Sequence, residues 1–498
     1  MTRIRTFFER FPLFLFLIPV FVIVHIEREY HGLINYAFVY RQVIELLIAP
    51  VVIWLLSFIL FRDLRKSLAF CLAFMLVFYF FADLKDGLTE LWKNSFFSSY
   101  KFLLPFTGLA LLVTYVTIRK SASQFRSMFL FANVLFLCFI VADLVLIVLY
   151  SQKQQRPALM HEIGKSNCND CVKPDIYYVV FDSYTSSTRL KNEFGYDNSR
   201  MDSFLSHKGF YQVKQSRSNY NFTPYSIGST LNYDYFHGIP AEKKVYLRDY
   251  LPYIGLIRDN NLVRLLESKG YQIVNHSIFD FRKHPSTIPP YDLWSINILY
   301  KRHNIFKKID MEIGWIMRSR LGPPASGDDM LSNDYIRSRD KHDSLAIAAL
   351  NATLEEKNIT PRFVYTHIEI PHAPFSFDSL GTRHAVPVSL SPEEDKHSYI
   401  QQLVYSNKQV IKVIDAIFAK STRPFIIVLQ GDHGFKYFNP TKRAYEFDNL
   451  NAFYFYNKDY RLLHDSLTSV NTFRVVLNTF FGTDLSLRKD TTVFLPYQ

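Results

Sequence analysis

Pro424-Phe425-Ile426-Ile427-Val428-Leu429-Gln430-Gly431-Asp432-His433-Gly434 is an apolar run that halts at an Asp-His pair set between two glycines. Its first seven residues read as a strand buried on both faces, the kind found in the middle of an open α/β sheet. Such sheets place their chemistry just past the carboxyl ends of strands. The flanking glycines are expected to let the chain turn tightly enough for Asp432 and His433 to converge on one ion.

The same syntax opens the second half of the chain. Asp175-Ile176-Tyr177-Tyr178-Val179-Val180-Phe181 is a second apolar, β-rich run, and it ends at Asp182. Between the two runs, helical patterns closed by glycine precede short strands: Met201 to Lys208, Gly209, then Phe210 to Val213, and Leu262 to Lys269, Gly270, then Tyr271 to Val274. Arg362 to His367 reads as a further strand and Tyr399 to Ala419 as a helix. Alternation of this kind predicts an α/β sandwich beginning at Lys173. Pro285 to Ser344, basic and aromatic, reads as an elaboration of that domain with no chemistry assigned.

The first third is different. Within 498 residues that are 49% hydrophobic, five long apolar stretches fall at Phe11 to Ile26, Val43 to Phe61, Leu68 to Ala82, Phe102 to Ile118 and Met128 to Tyr150. Roughly 20 apolar residues cross a bilayer, so residues 1–150 are read as a bundle of five transmembrane helices. The first stretch is followed by Glu27-Arg28-Glu29 rather than by a small-residue cleavage site, which makes it an anchor and not a removed leader. Arg3, Arg5 and Arg10, then Arg62, Arg65 and Lys66, then Arg119, Lys120 and Arg126 fall on one side in short segments, and that side is expected to be cytoplasmic. Everything beyond the fifth span then lies outside, with residues 151–172 as a polar tether. These loops also account for much of the net charge of +12, which otherwise could indicate nucleic acid; the remainder suits anionic lipid surfaces.

Four cysteines are few. Cys71 and Cys138 lie inside predicted spans as packing residues. Cys168 and Cys171 form a C-x-x-C in the tether, read as a local disulfide, with half a zinc site or a redox motif as the alternatives.

The candidate chemistry combines Asp182, the stretch Asn221-Phe222-Thr223-Pro224-Tyr225-Ser226, and Asp432 with His433. Asp, hydroxyl, Asp and His make a mixed oxygen and nitrogen donor set suited to Zn²⁺, Mn²⁺ or Mg²⁺. A hydroxyl is almost wholly protonated at neutral pH, and coordination to a dication is one of the few ways to activate it without a nearby base. Thr223 also reads as a helix cap before Pro224, a role compatible with the first because a helix N-terminus favours a phosphoryl group.

In their order, strand-end Asp, hydroxyl opening a helix, H-x-P-F and strand-end Asp-His, these residues resemble the alkaline phosphatase superfamily. The nearest likeness is to its sulfatase-like membrane proteins, which include lipoteichoic acid synthases and lipid A phosphoethanolamine transferases. The resemblance implies a C-terminal α/β sandwich of alkaline phosphatase/sulfatase type over residues 173–498. It implies one divalent metal, zinc first, on Asp182, Thr223, Asp432 and His433, with Thr223 as nucleophile and Ser226 as its competitor. His372, in His372-Ala373-Pro374-Phe375, corresponds to a substrate-phosphate histidine acting in catalysis. His367, Lys436 and Ser226 are candidate substrate-binding residues. Those transferases usually carry Glu where Asp182 stands.

Sulfatases of this superfamily use C-x-P-x-R or S-x-P-x-R to make formylglycine, and Thr223-Pro224-Tyr225-Ser226-Ile227 has neither the Cys nor the Arg. The expectation is therefore a phosphotransferase. A phosphoethanolamine- or phosphoglycerol-type group would pass from a phospholipid donor to a glycan or lipid acceptor of the cell envelope, at the periplasmic face of the inner membrane. A phosphoester or sulfuric ester hydrolase and a catalytically silent scaffold are the alternatives. Glu45, Asp83 and Asp143, near helix ends in the bundle, are read either as contacts to an ethanolamine ammonium or as polar contacts between helices.

Overall fold

A computed structural model describes residues 2–31, 34, 36–92, 95–153, 172–239, 245, 247–291, 296–314, 333–384, 392–436 and 440–496. The chain forms two compact units that are not contiguous in sequence: Met1–Gln154 with Trp294–Ala325, and Gln155–Leu293 with Ser326–Gln498. The stretch after residue 293, which the sequence reading placed within the outer domain, thus packs with the first unit.

That unit is helical: α1 Thr2–Arg10, α2 Phe14–Tyr30, α3 Tyr36–Phe61, α4 Leu64–Leu91, α5 Tyr100–Lys120 and α6 Arg126–Lys153. Among the described residues four helices are long and apolar enough to cross a membrane: α3, α4, α5 and the Arg126–Leu149 part of α6. At 17 residues α2 is shorter than these. The central helix is α4, since its apolar stretch is 56% buried against 11% for α5. Asn133 of α6 holds the break between α1 and α2, accepting from the Phe14 N–H at 2.7 Å and donating to the carbonyls of Phe8 and Phe11. Cys71 is buried and Cys138 exposed. Cys168 and Cys171 lie outside the described residues.

All three acids singled out in the bundle are already matched by cations of this chain. Asp143 accepts from Arg28 at 2.8 Å and lies 3.0 Å from His25 Nδ1. Glu45 pairs with Lys307 and with Arg41. Asp83 lies 3.4 Å from Arg302 and 3.6 Å from His303, and the neighbouring Asp86 binds Arg302 at 2.8 Å and Lys308 at 3.0 Å. The polar-contact reading of these acids therefore replaces the ammonium-binding one. For Glu45, Asp83 and Asp86 the returning stretch supplies Lys307, Arg302 and Lys308, in helices Ile296–Arg302 and Ile305–Ile309, whose charge had no visible purpose in the sequence.

The second unit is built on a six-stranded sheet of order β2-β6-β5-β1-β4-β3, with β1 Asp175–Phe181, β2 Tyr211–Gln212, β3 Gln272–His276, β4 Arg362–Ile368, β5 Phe425–Gln430 and β6 Asn451–Phe455. Strands β3, β4, β1 and β5 are parallel, and β6 runs antiparallel to both β5 and β2. Helices cover both faces, which is why β1 is buried at every position. On one face Tyr177, Val179, Ile427 and Leu429 pack with Leu403, Val410, Ile414 and Ile417 of helix Pro392–Lys420. On the other, Tyr178 and Phe363 meet Phe473 of helix Thr472–Phe481. Each buried aliphatic side chain contributes about 1.5–3 kcal/mol. Register places Val180 beside both His367 and Gln430, so Asp182, His367 and the Asp432-His433 pair leave three adjacent strands at nearly one level.

Candidate functional site

Two loops are stitched together at the carboxyl ends of β1 and β5. The Leu450 N–H donates to the Tyr184 carbonyl at 2.9 Å, the Phe435 N–H to Thr185 Oγ1 at 2.7 Å, and the Asn449 amide to the Gly431 carbonyl at 2.5 Å. The two glycines act here by smallness. Neither has a positive φ; a Cβ on Gly431 would sit 2.5 Å from the Tyr184 carbonyl oxygen, and one on Gly434 2.6 Å from that of Asp448. Close approach of the backbones, rather than the tight turn inferred from sequence, is what excludes a side chain.

Within this frame the side chains of six residues named from the sequence converge. His433 Nε2 lies 3.7 Å from Asp182 Oδ1 and 3.5 Å from Asp432 Oδ2, and His367 Nε2 lies 3.5 Å from Asp182 Oδ2. Thr223 Oγ1 is 3.3 Å from Asp182 Oδ2 and 3.4 Å from His433 Nε2. Helix Thr223–Asn232 starts at this threonine with Pro224 in its first turn, and the residue in the capping position is Phe222. The Thr223 hydroxyl is therefore turned to the carboxylate and imidazole. His372 stands across from His433 with ring centroids 6.1 Å apart, and its carbonyl is held by Arg339 at 3.2 Å and Gln402 at 2.9 Å. Donor atoms of Asp182, His372 and His433 lie within 4.8 Å of one another, as do those of Asp182, His367 and Asp432.

Two atoms test whether these residues suit a cation. Asp432 spends Oδ1 on the main-chain N–H groups of Ser183 and His433, both at 2.9 Å, while its Oδ2 is buried with no hydrogen-bond partner. His367 Nε2 is likewise buried and has no hydrogen-bond partner among the described residues, Asp182 Oδ2 standing 3.5 Å away, while its Nδ1 is 2.9 Å from the Tyr365 hydroxyl. A buried carboxylate oxygen without a partner is costly, and a coordinating cation is the usual remedy. His433 Nδ1 lies 2.8 Å from the Gly434 carbonyl, which fixes the proton there and turns the Nε2 lone pair inward. The donor set fits a divalent ion.

The electrostatics agree. Burial works to raise Asp182, but the adjacent His372, His367 and His433 hold it far below the ordinary carboxylate range. Burial works to lower His367, yet Asp182 beside it raises it overall, and burial lowers His372 against the pull of Asp182. Lys436, half-buried with its Nζ 4.2 Å over the Phe222 ring, is lowered by burial, opposed by the charges of Asp182 and Asp432.

Ser226 is placed apart from the others. It is buried, and its hydroxyl donates to the Asp432 carbonyl at 2.5 Å. One residue that the sequence did not single out joins the cluster: Ser183, whose hydroxyl donates to Asp182 Oδ1 at 3.1 Å and lies 3.3 Å from His433 Nδ1. Its φ of +59° marks a turn immediately after the strand-end aspartate, a conformation that a serine codon does not announce.

No family model and no curated protein matches the chain. Solved structures are similar to it. The C-terminal periplasmic domain of EcEptC from Escherichia coli, in complex with Zn, is 10% identical, with a TM-score of 0.42 over 68% of this chain and 90% of that one. The soluble domain of lipooligosaccharide phosphoethanolamine transferase A from Neisseria meningitidis is 11% identical, with a TM-score of 0.36 over 63% and 89%. A sulfatase-like structure from Bacteroides thetaiotaomicron is 12% identical, with a TM-score of 0.37 over 65% and 74%. At these identities and scores the likenesses assign neither residues nor activity.

Proposed function

We propose that this chain is a membrane-anchored phosphotransferase that moves a phosphoethanolamine- or phosphoglycerol-type group from a phospholipid to a glycan or lipid of the cell envelope, by way of a phosphorylated Thr223. The observation that carries the reading is the Thr223 hydroxyl at a helix start, 3.3 Å from Asp182 and 3.4 Å from His433, next to a carboxylate oxygen of Asp432 that has no hydrogen-bond partner among the described residues.

A divalent ion, zinc first, would be held by Asp182, Thr223, Asp432 and His433, where it supplies Lewis-acid stabilisation of phosphoryl oxygens and eases loss of the hydroxyl proton. Asp182 orients Thr223 Oγ1 by accepting its hydrogen bond. The first turn of helix Thr223–Asn232 offers the positive end of its dipole to the phosphoryl group. His367 and Lys436 bind phosphate oxygens, and Ser226 serves them indirectly by fixing the Asp432 main chain. In the first step the Thr223 hydroxyl proton passes to solvent, the Oγ1–P bond forms and the P–O bond to the lipid alcohol breaks, with His372 giving a proton to the departing oxygen. In the second, an acceptor hydroxyl forms its bond to phosphorus and gives its proton to His372, the Oγ1–P bond breaks, and Oγ1 takes a proton back from solvent. Water in place of the acceptor makes the enzyme a phosphoester hydrolase. Sulfuric ester hydrolysis through formylglycine has no residue to use, since threonine cannot become that aldehyde.

Under this reading the bundle crosses the inner membrane five times, with α2 as the first span and the clusters Arg62, Arg65, Lys66 and Arg119, Lys120, Arg126 on the cytoplasmic side. Residues 151–172 then tether a catalytic portion, drawn from 173–498, on the periplasmic side. The test is the intact mass of the purified protein after exposure to phospholipid. A phospho-substituent lost in Thr223→Ala and retained in Ser226→Ala is expected; a wild-type protein that never acquires one, or acquires it on Ser226, refutes the reading. Labelled phospholipid with and without glycan then separates transfer from hydrolysis.

A further inference from the structure

The chain approaches Thr223 through Asn219-Tyr220-Asn221-Phe222, and this approach is held by a stretch nearly three hundred residues away. The Val493 N–H donates to the Asn219 carbonyl at 2.8 Å, and Tyr220 and Val493 pair as in a parallel ladder. At Asn221 a side chain takes over the pairing. Its Oδ1 accepts from the Leu495 N–H at 2.9 Å and its Nδ2 donates to the Leu495 carbonyl at 3.1 Å, so one amide satisfies both main-chain groups of one residue. The same Nδ2 donates to Glu446 Oε2 at 3.2 Å. Glu446 in turn accepts at its carbonyl from the Gly434 N–H at 2.7 Å, and the Gly434 carbonyl meets His433 Nδ1 at 2.8 Å. Asn221, Leu495 and Glu446 are all fully buried.

We infer that Asn221 is a positioning residue: clamped by Leu495 and Glu446, it sets the separation of Thr223 Oγ1 from Asp182 and His433. The physical reason is geometric. Two residues before the nucleophile, rotation of the backbone is stopped by three hydrogen bonds made in a water-poor interior, where each is expensive to leave unmade. Because one of those bonds leads through Glu446 to the loop carrying His433, the hydroxyl and the imidazole are fixed to each other and not merely each to the sheet. No titration is involved, and the aromatic packing of Phe222 against Tyr250 and Tyr225 alone would leave the chain free to slide along its axis.

The inference rests on the phosphotransfer reading for its kinetic consequence but not for its structural one, and the test uses both. Full-length Asn221→Ala is compared with Leu256→Ala, which thins the same apolar cluster without touching the clamp. Asn221→Ala is expected to slow formation of the Thr223 adduct by about ten- to hundredfold, the cost of misplacing a reacting atom by about an ångström. Its KM for phospholipid and its zinc content stay within about twofold, and Leu256→Ala keeps its rate within about twofold at a lower melting temperature. A rate loss that follows melting temperature equally in the two variants, or an unchanged rate in Asn221→Ala, overturns the inference. If wild type forms no adduct, the phosphotransfer reading fails by itself, and hydrogen exchange decides the clamp. The Tyr225 and Ser226 amides, which bond the Phe222 carbonyl at 3.1 and 2.9 Å, must lose about tenfold protection in Asn221→Ala and keep it in Leu256→Ala. Unchanged protection in Asn221→Ala overturns the clamp.

Discussion

Replacing Asp432 by Asn should make the metal-free protein more stable and the zinc-loaded protein less so. The substitution keeps Oδ1, which accepts two main-chain N–H groups at 2.9 Å, and so leaves the loop geometry in place. At the other oxygen it exchanges an unpartnered buried charge for an N–H donor 3.5 Å from a His433 nitrogen whose lone pair faces it. Relieving an unsatisfied buried group is worth about 1–3 kcal/mol. For a domain of this size that is roughly 2–10 °C in melting temperature. Zinc at a hundredfold excess over its Kd adds about 2.7 kcal/mol to a protein that binds it only when folded, and the variant, lacking a negative ligand, should gain almost none of this. Thermal unfolding of the detergent-solubilised chain, with chelator and then with zinc, measures both effects. A variant that melts lower than wild type without metal, or that zinc stabilises as much as wild type, refutes the claim that Asp432 Oδ2 awaits a cation.

Further predictions concern parts of the frame. Burial pushes His276 down to about 4, its ring held between the hydroxyls of Thr287 and Thr353. The folded value lies below the unfolded one, so its contribution is intact above pH 6.5 and is lost as pH falls toward 4. About 3 kcal/mol is at stake by the usual 1.4 kcal/mol per unit, and denaturant titrations across that window should flatten in His276→Gln. Gly434→Ala drives a methyl group to 2.6 Å from the Asp448 carbonyl, so calorimetry should report a loss of about 1–3 kcal/mol together with weakened zinc binding. In the helical unit, Asp86→Ala removes the carboxylate that Lys308 meets at 3.0 Å, and the Asp86–Lys308 double-mutant cycle should give about 0.5–1 kcal/mol of coupling, discounted for the partly exposed carboxylate. A coupling near zero assigns the pair no role in docking the returning stretch.

Much of the sheet was legible because its central strands are long apolar runs. β1 spans the expected residues, and β4 and β5 differ from expectation by a residue at one end. β6, Asn451 to Phe455, was not read as a strand, since the short run Asn451-Ala452-Phe453-Tyr454-Phe455 has no clear alternation of apolar and polar residues and is defined by pairing with β5. The strand-end residues were legible as chemistry because acidic and imidazole groups closing buried strands have few structural uses. What could not be read were relations across long separations. Ser183, Asn221 and Glu446 acquire meaning only when residues two hundred or more positions away arrive beside them. Thr223 before Pro224 had two compatible readings, helix cap and nucleophile; the structure puts Phe222 in the capping position and the Thr223 hydroxyl beside Asp182 and His433. The charges of Arg302, Lys307 and Lys308, read only as part of an elaboration of the outer domain, had no assigned purpose because their counterions lie in α3 and α4.

That last feature bears on how the protein can be handled. A secreted fragment cut simply after the tether would carry Trp294–Ala325 into water without its helical neighbours, presenting the exposed ring of Phe306 and a row of cations stripped of their counter-charges. Such a fragment invites self-association through an accidental surface. Excising that stretch and bridging the gap with a short flexible link, or keeping the whole chain in detergent, respects the way the polypeptide divides itself.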